Sequence, residues 1–348
     1  QGMKIVPCNI GDPLRFDFAT PPHLIEAVSK ALRDGHNQYV ASAGLKEARE
    51  AVAASMKPAV RPEDVFITAG VSEALDLALT ALLEAGDEVL LPSPGYPLYN
   101  AIAARLQAKV VPYFLDESKG WAIDADEVAS KVGPRTKAIV ICNPNNPTGA
   151  VASKEQLLRV LDVARKHNLV VLSDEIYDRL LFTGEHVPTA TLCDDVPLIT
   201  LNGLSKAYLC PGWRVGWLAF HTPKLLAPVA AAVQRLADAR LCGPGPFQYA
   251  VKPALTGPQG HVAEVMKKLR SRRDLMVSRL RAMPGVSVVE PQCAFYAMPS
   301  LDREWAGGDE AFVRTLVREH RLAGDIADRI DAGHVGHAAV VHRDEAAL

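Results

Sequence analysis

Between Asp64 and Phe220 this chain alternates short apolar runs with stretches of helical period, and few folds accept that pattern. The runs at 65–68, 88–91, 109–114, 137–142, 169–173, 198–201 and 215–220 are apolar almost throughout, so strands formed there have no polar face for water. Segments 72–84, 96–106, 124–131 and 153–166 read as helices between several of them. Strands buried on both faces and separated by helices predict an α/β fold with a large, mostly parallel sheet covered by helices on both faces. Sheets of this kind take ligands beyond the carboxyl ends of their strands. The polar clusters fall there: Gly70-Val71-Ser72, Ser93-Pro94-Gly95-Tyr96, 143–149, 174–177 and Lys206.

The flanking segments read differently. The chain starts irregularly, with the turn-forming cluster Asn9-Ile10-Gly11-Asp12-Pro13. Pro21-Pro22 then opens a helix to about Arg33, a loop over 35–44 contains Tyr39, and a second helix covers 45–56. Beyond Phe220, a helix at 223–240, a long charged helix at 260–283, strands at 286–289 and 294–298 and a helix at 309–320 predict a smaller α+β unit. The stretch 322–348 has no clear period.

Composition removes several function classes. A net charge of −2 over 348 residues suggests neither a nucleic-acid surface nor a polybasic membrane patch. No apolar run approaches the roughly 20 residues of a membrane helix, and residues 1–13 lack the charged start and apolar block of a secretory signal. The six cysteines are scattered without a Cys-x-x-Cys pair, so no metal site is expected and the thiols fit a reducing, cytoplasmic setting.

Four clusters offer chemistry. Lys206 lies on a turn between two apolar runs, with Arg214 eight residues later. Burying an ammonium there is costly unless it is paired or neutral, and a lysine whose amine must capture a carbonyl is kept in such places. Arg214 adds a planar fork for phosphate or carboxylate; the alternative is a surface turn with two solvated cations. Val71 and Ser72 follow Gly70 at a strand-to-helix turn, either an ordinary N-cap or a phosphate site. Two Asn-Pro steps in Asn143-Pro144-Asn145-Asn146-Pro147 fix a non-helical loop, which either presents Asn146 to a ligand or is only a tight connection. Asp174 ends an apolar strand, where a carboxylate needs a cationic partner unless it caps a helix, and Tyr177 follows three residues on. Tyr96 is placed to stack on a flat ligand or to pack in the core.

A lysine for a carbonyl, an aspartate for a ring nitrogen, a helix start for a phosphate and an aromatic stack together describe pyridoxal phosphate. Over about residues 9–299 the chain resembles the class I/II aminotransferases of pyridoxal-phosphate fold type I, in their alanine aminotransferase-like branch. The strings NIGDP, YVASAG, GVSEA, PGYPLY, NPNNPTG, SDEIYD and NGLSKAYLCPGWRVGW carry that resemblance. It implies that Lys206 is the Schiff-base lysine and proton shuttle, that Asp174 pairs with the pyridinium nitrogen, and that Asn146 and Tyr177 bond the ring oxygen. It further implies that Tyr96 stacks on the ring, that Val71, Ser72, Ser205 and Arg214 hold the phosphate, and that Gly11 meets the substrate through its backbone. Tyr39 would reach the neighbouring subunit's phosphate, so a homodimer is expected.

The implied division is an N-terminal segment, 1–40, belonging to the small domain, a cofactor-binding domain, 41–240, and a small C-terminal domain, 241–348. The implied activity is transfer of an amino group from a small amino acid, alanine first, to a 2-oxo acid such as 2-oxoglutarate. Rival expectations are a lyase or decarboxylase on the same cofactor, or a cofactor-binding protein with impaired catalysis. Two departures from the family are visible. The chain begins almost at NIGDP, which predicts a weaker dimer, and the position of the family's carboxylate-clamping arginine falls at Ala339, with Arg343 four residues on.

Overall fold

A computed structural model of the chain describes residues 6–8, 10–302, 306 and 308–323. Its centre is an eight-stranded sheet in the spatial order Val65–Thr68, Gly216–Phe220, Leu198–Gly203, Val170–Asp174, Thr136–Cys142, Glu88–Ser93, Lys109–Asp116, Ala122–Ile123. The five strands from Leu198–Gly203 to Lys109–Asp116 pair in parallel. Gly216–Phe220 runs antiparallel to both its neighbours, and the short Ala122–Ile123 edge is antiparallel as well. This is the mostly parallel α/β sheet that the apolar runs predict.

Both faces of the sheet are buried, and alternation along each strand shows how. Leu90, Ile139, Ile141, Val171 and Leu198 point into one core, shared with Leu157, Val160 and Leu161 of the Lys154–His167 helix. Val89, Leu91, Val140, Leu172, Ile199 and Leu201 point into the other, shared with Leu75, Ala78 and Leu79 of the Val71–Leu82 helix. Each such aliphatic side chain contributes about 1.5–3 kcal/mol on burial, so the sheet is held firmly from both faces. The covering helices are delimited locally. Ser153 and Gln156 form a reciprocal capping box at the start of Lys154–His167, and Asn168, left-handed at φ 53°, ends it.

A third core joins the remaining segments beneath the sheet's end. Leu24 and Val28 of the Pro22–Arg33 helix, Val265 and Leu269 of the Gly260–Arg281 helix and Phe295 pack with Tyr177, Leu204 and Tyr208. Residues flanking Asp174 and Lys206 are therefore fixed from below by segments far away in sequence.

Two expectations need correction. The run 294–298 is not a strand: Ala294 is left-handed at φ 57°, and its N–H donates to Leu180 while those of Gln292 and Cys293 donate to Gly149. The strand lies one step later, at Pro299–Leu301, antiparallel to Val286–Val288. The helix expected from 223 starts at Ala227, because a turn closed by Leu225 and Leu226 onto the Thr222 carbonyl precedes it. Of the stretch 322–348, Leu322–Ala323 pairs in parallel with Val6–Pro7, and residues 324–348, including Ala339 and Arg343, lie outside the described residues.

One close approach in the sheet generates a stability test. A Cβ on Gly216 would sit 2.6 Å from the Gly70 carbonyl carbon and 2.7 Å from the Val71 nitrogen, both backbone atoms. Gly216→Ala lowers the thermal unfolding midpoint, a loss of about 1–3 kcal/mol. Gly260→Ala, where a Cβ meets nothing within 4 Å, leaves the midpoint unchanged or slightly raised.

Candidate active site

The strands' carboxyl ends open on a cavity of about 350 Å³. Register explains why its polar residues converge. Cys142 pairs with Asp174, Asp174 with Leu201, and Gly203 with Gly216, whose other neighbour is Thr68. The loops leaving these strands, 143–149, 175–177, 204–214 and 69–72, therefore emerge side by side.

Lys206 and Asp174 both line this cavity. The Lys206 Nζ donates to the Gly11 carbonyl at 2.9 Å and lies 5.6 Å from the centre of the Phe295 ring. Burial pulls its pKa down to about 8, with Asp12 opposing and Arg214 adding to the effect. Asp174 is enclosed; Tyr99 Oη donates to its Oδ2 at 2.8 Å and the Ile176 N–H to its Oδ1 at 3.2 Å. Burial pushes its carboxyl up to about 6, against the Tyr99 and Ile176 hydrogen bonds. Among the described residues it makes no ion pair, so its charge lacks a contact partner.

Asn146 and Tyr177 form the next part of the wall. Asn146 Nδ2 lies 3.5 Å from Tyr177 Oη, which is 2.8 Å from Tyr296 Oη. Burial raises the Tyr177 hydroxyl's pKa well above its usual value, so it keeps its proton. The loop bearing Asn146 is held from within: the Asn145 side chain accepts from the Thr148 N–H at 3.1 Å and Oγ1 at 2.8 Å, and Asn143 Oδ1 accepts from the Ala152 N–H at 2.9 Å. Tyr96 caps the Pro97–Arg105 helix, 37% exposed, with its ring edge-on to Tyr99 at 5.7 Å.

The far end is basic. Gly70, at φ 78°, turns the chain into the Val71–Leu82 helix and brings Val71 and Ser72 to the cavity with Ser205 and Arg214. The Arg214 guanidinium spans this corner, donating to the Ala69 and Pro211 carbonyls at 3.1 Å and to Ser72 Oγ at 3.3 Å. A Cβ on Gly70 would come within 2.5 Å of that guanidinium, so only glycine leaves the corner open. A helix start beside an arginine is suited to an anion.

Ten of the eleven residues singled out in the sequence thus share one cavity. Tyr39 is outside it, 76% exposed on the loop before the Lys46–Ser55 helix. Sequence reasoning missed Tyr99, Cys142 and Tyr296, which also line the cavity. Tyr99 had a usable signal: it follows Tyr96 by three residues, so one helix turn presents both to the same side. Tyr296 had none, because an aromatic in an apolar run reads as packing. His186, given no role, is buried against Glu175 at 2.9 Å, and Glu175 also accepts from Ser173 Oγ, which braces the strand end beneath Asp174.

Comparison with known proteins identifies the family. The family model "Aminotransferase class I and II" matches residues 4–324. An alanine aminotransferase of Mycobacterium tuberculosis is 41% identical over 333 residues, which cover 92% of this chain and 77% of that one. The glutamate-pyruvate aminotransferase AlaA of Escherichia coli is 41% identical over 312 residues, 87% of this chain and 76% of the relative. Among solved structures, an alanine aminotransferase from Pyrococcus furiosus superposes with a TM-score of 0.94 at 41% identity, covering 98% of this chain and 88% of the other. The chain belongs to the class I and II aminotransferases, and it is an aminotransferase enzyme.

Proposed function

We propose that this aminotransferase uses pyridoxal phosphate to move the amino group of alanine to a 2-oxo acid such as 2-oxoglutarate. The observation that carries the reading is one cavity lined by a lysine of lowered pKa, an unpaired buried carboxylate and a basic helix start. The names of the relatives support the choice of alanine. A two-domain division, with the cleft bounded by residues near Gly11 and Tyr296, fits the same reading.

The residues present fit the cofactor. The glycine-lined corner at Gly70, which a Cβ would fill, leaves room for a phosphate held by Val71, Ser72, Ser205 and Arg214. Asp174, lacking an ion-pair partner, would receive a protonated ring nitrogen, Asn146 and Tyr177 the ring oxygen, and Tyr96 the ring face. Tyr39, exposed here, would serve the site of a second copy in a homodimer. When bound, pyridoxal phosphate supplies an aldehyde that an amine can capture and a ring that takes up the electron pair left at a substrate's Cα.

The chain's own residues then do the following. Lys206 Nζ, once free, takes the proton from the substrate Cα; a pKa near 8 leaves part of the amine neutral at physiological pH. Asp174 stays charged above about pH 6 and so can balance a positive charge brought into contact with it. Gly11 offers its backbone to the substrate. Donor and acceptor occupy the same cavity in turn, so the first product must leave before the second substrate enters.

Three measurements check this. Lys206→Ala loses all cofactor trapped covalently by borohydride and slows transamination about 10³-fold or more; trapping that persists in this variant would falsify the assignment of Lys206. Initial rates with alanine and 2-oxoglutarate give parallel double-reciprocal lines; intersecting lines contradict the in-turn use of one cavity, and alanine consumed repeatedly without any oxo acid favours lyase or decarboxylase chemistry instead. In the cofactor-free protein, acylation of Lys206 by an amine-selective reagent rises with pH through a midpoint near 8, because only the neutral amine reacts. A midpoint near the usual lysine value of about 10.4 contradicts the enclosed setting.

A further inference from the structure

We propose that Tyr99 is a positioning residue for the reaction, its hydroxyl donating to Asp174 so that this buried carboxylate is held in the charged form a cationic ring nitrogen needs. The proposal rests on the reading of Asp174 given above and deepens it.

The geometry is direct. Tyr99 lies in the first turn of the Pro97–Arg105 helix, and its Oη is 2.8 Å from Asp174 Oδ2, with both side chains buried. Tyr96, edge-on to Tyr99 at an interplanar angle of 88°, lines the same cavity from the N-cap position of that helix. One turn of helix thus supplies a ring for the ligand's face and a hydroxyl for the carboxylate behind it. The Ile176 N–H occupies Oδ1. A carboxylate has about four acceptor sites, so these two donors leave capacity for a third.

The direction of the hydrogen bond follows from the surroundings. Burial, and then the charge on Asp174, push the Tyr99 hydroxyl's pKa well above its ordinary value, so the proton stays on the phenol. Four other titratable groups bear on the same site. Cys142, pushed up to about 12 by burial, and Tyr177, raised by burial, stay neutral. The charge on Glu175 disfavours ionisation of Asp174, and that on Lys206 favours it. Of the influences favouring the charged form, the Tyr99 hydrogen bond is the largest. Without it, burial and Glu175 would bring protonation of Asp174 into the neutral pH range. A neutral acid can still share a hydrogen bond, but it cannot balance a cation.

The test begins with cofactor-free protein. The Asp174 carboxyl is titrated by infrared difference spectroscopy, with Asp174→Asn as the subtraction that isolates its band. The wild-type midpoint is expected near 6. Tyr99→Phe moves it upward by about one to two pH units, the value of a hydrogen bond to a charged group. Placing 3-fluorotyrosine at position 99, a more acidic donor of the same shape, moves it downward and serves if the phenylalanine variant does not fold. In the loaded enzyme, Tyr99→Phe carries the acid limb of the kcat profile upward in step, with a smaller change in KM. Midpoints that stay put in both substituted proteins, while Asp174→Asn still loses kcat, overturn the part given to Tyr99 alone. Wild-type kcat in Asp174→Asn overturns the reading of Asp174 and the proposal with it.

Discussion

Keeping a carboxylate and an amine along the walls of one cavity is the constraint on which this structure turns. Each group would cost several kcal/mol to bury charged and alone. The protein meets that cost differently at the two sites. Asp174 receives two donors, Tyr99 and Ile176, and stays acidic enough to be charged at neutral pH. Lys206 receives a single carbonyl, that of Gly11, and its pKa is lowered instead. The asymmetry suits the proposed chemistry, in which one group remains an anion and the other passes between neutral and charged.

The fold makes this possible by placing both groups at the end of its central sheet. Asp174 ends a strand whose residues from Val171 onward are buried, and the turn carrying Lys206 links two adjacent strands of the same sheet. Strand register alone brings Asp174, the 143–149 loop and the Lys206 turn side by side. The segments that close the cavity, around Gly11 and Tyr296, come from opposite ends of the chain and meet there. A Cβ on Gly11 would lie 2.1 Å from Tyr296 Oη. Glycine at that position thus keeps the two segments in contact, and its backbone carbonyl accepts from Lys206.

How much of this was legible in the sequence depended on how strongly one force decided each element. Strands apolar on every residue were readable, with ends misjudged where polar residues such as Ser93 and Asp174 continue the ladder. Residues whose chemistry is unexpected for their setting, Lys206 between apolar runs and Asp174 after one, identified themselves by cost. Tyr99 and Tyr296 did not, since a phenol that packs and a phenol that donates look alike until a partner is in view. The run 294–298 misled because it is short, apolar and aromatic, as a buried strand is, whereas Ala294 is left-handed and its N–H, like those of the two residues before it, donates to a separate loop. The short Val251–Thr256 helix was hidden by its Gly- and Pro-rich flanks. The expected two-domain boundaries and the neighbouring-subunit role of Tyr39 depend on relations between units, which no local pattern encodes.

The central claim is that Lys206 and Asp174 flank a single pyridine ring. A crystal structure of the protein with pyridoxal phosphate tests it most directly. The account predicts continuous density from Lys206 Nζ into the cofactor, the ring nitrogen within hydrogen-bond reach of Asp174, and the phosphate at the Gly70–Arg214 corner. A cofactor bound with its ring nitrogen facing any other group, or with no bond to Lys206, would contradict it.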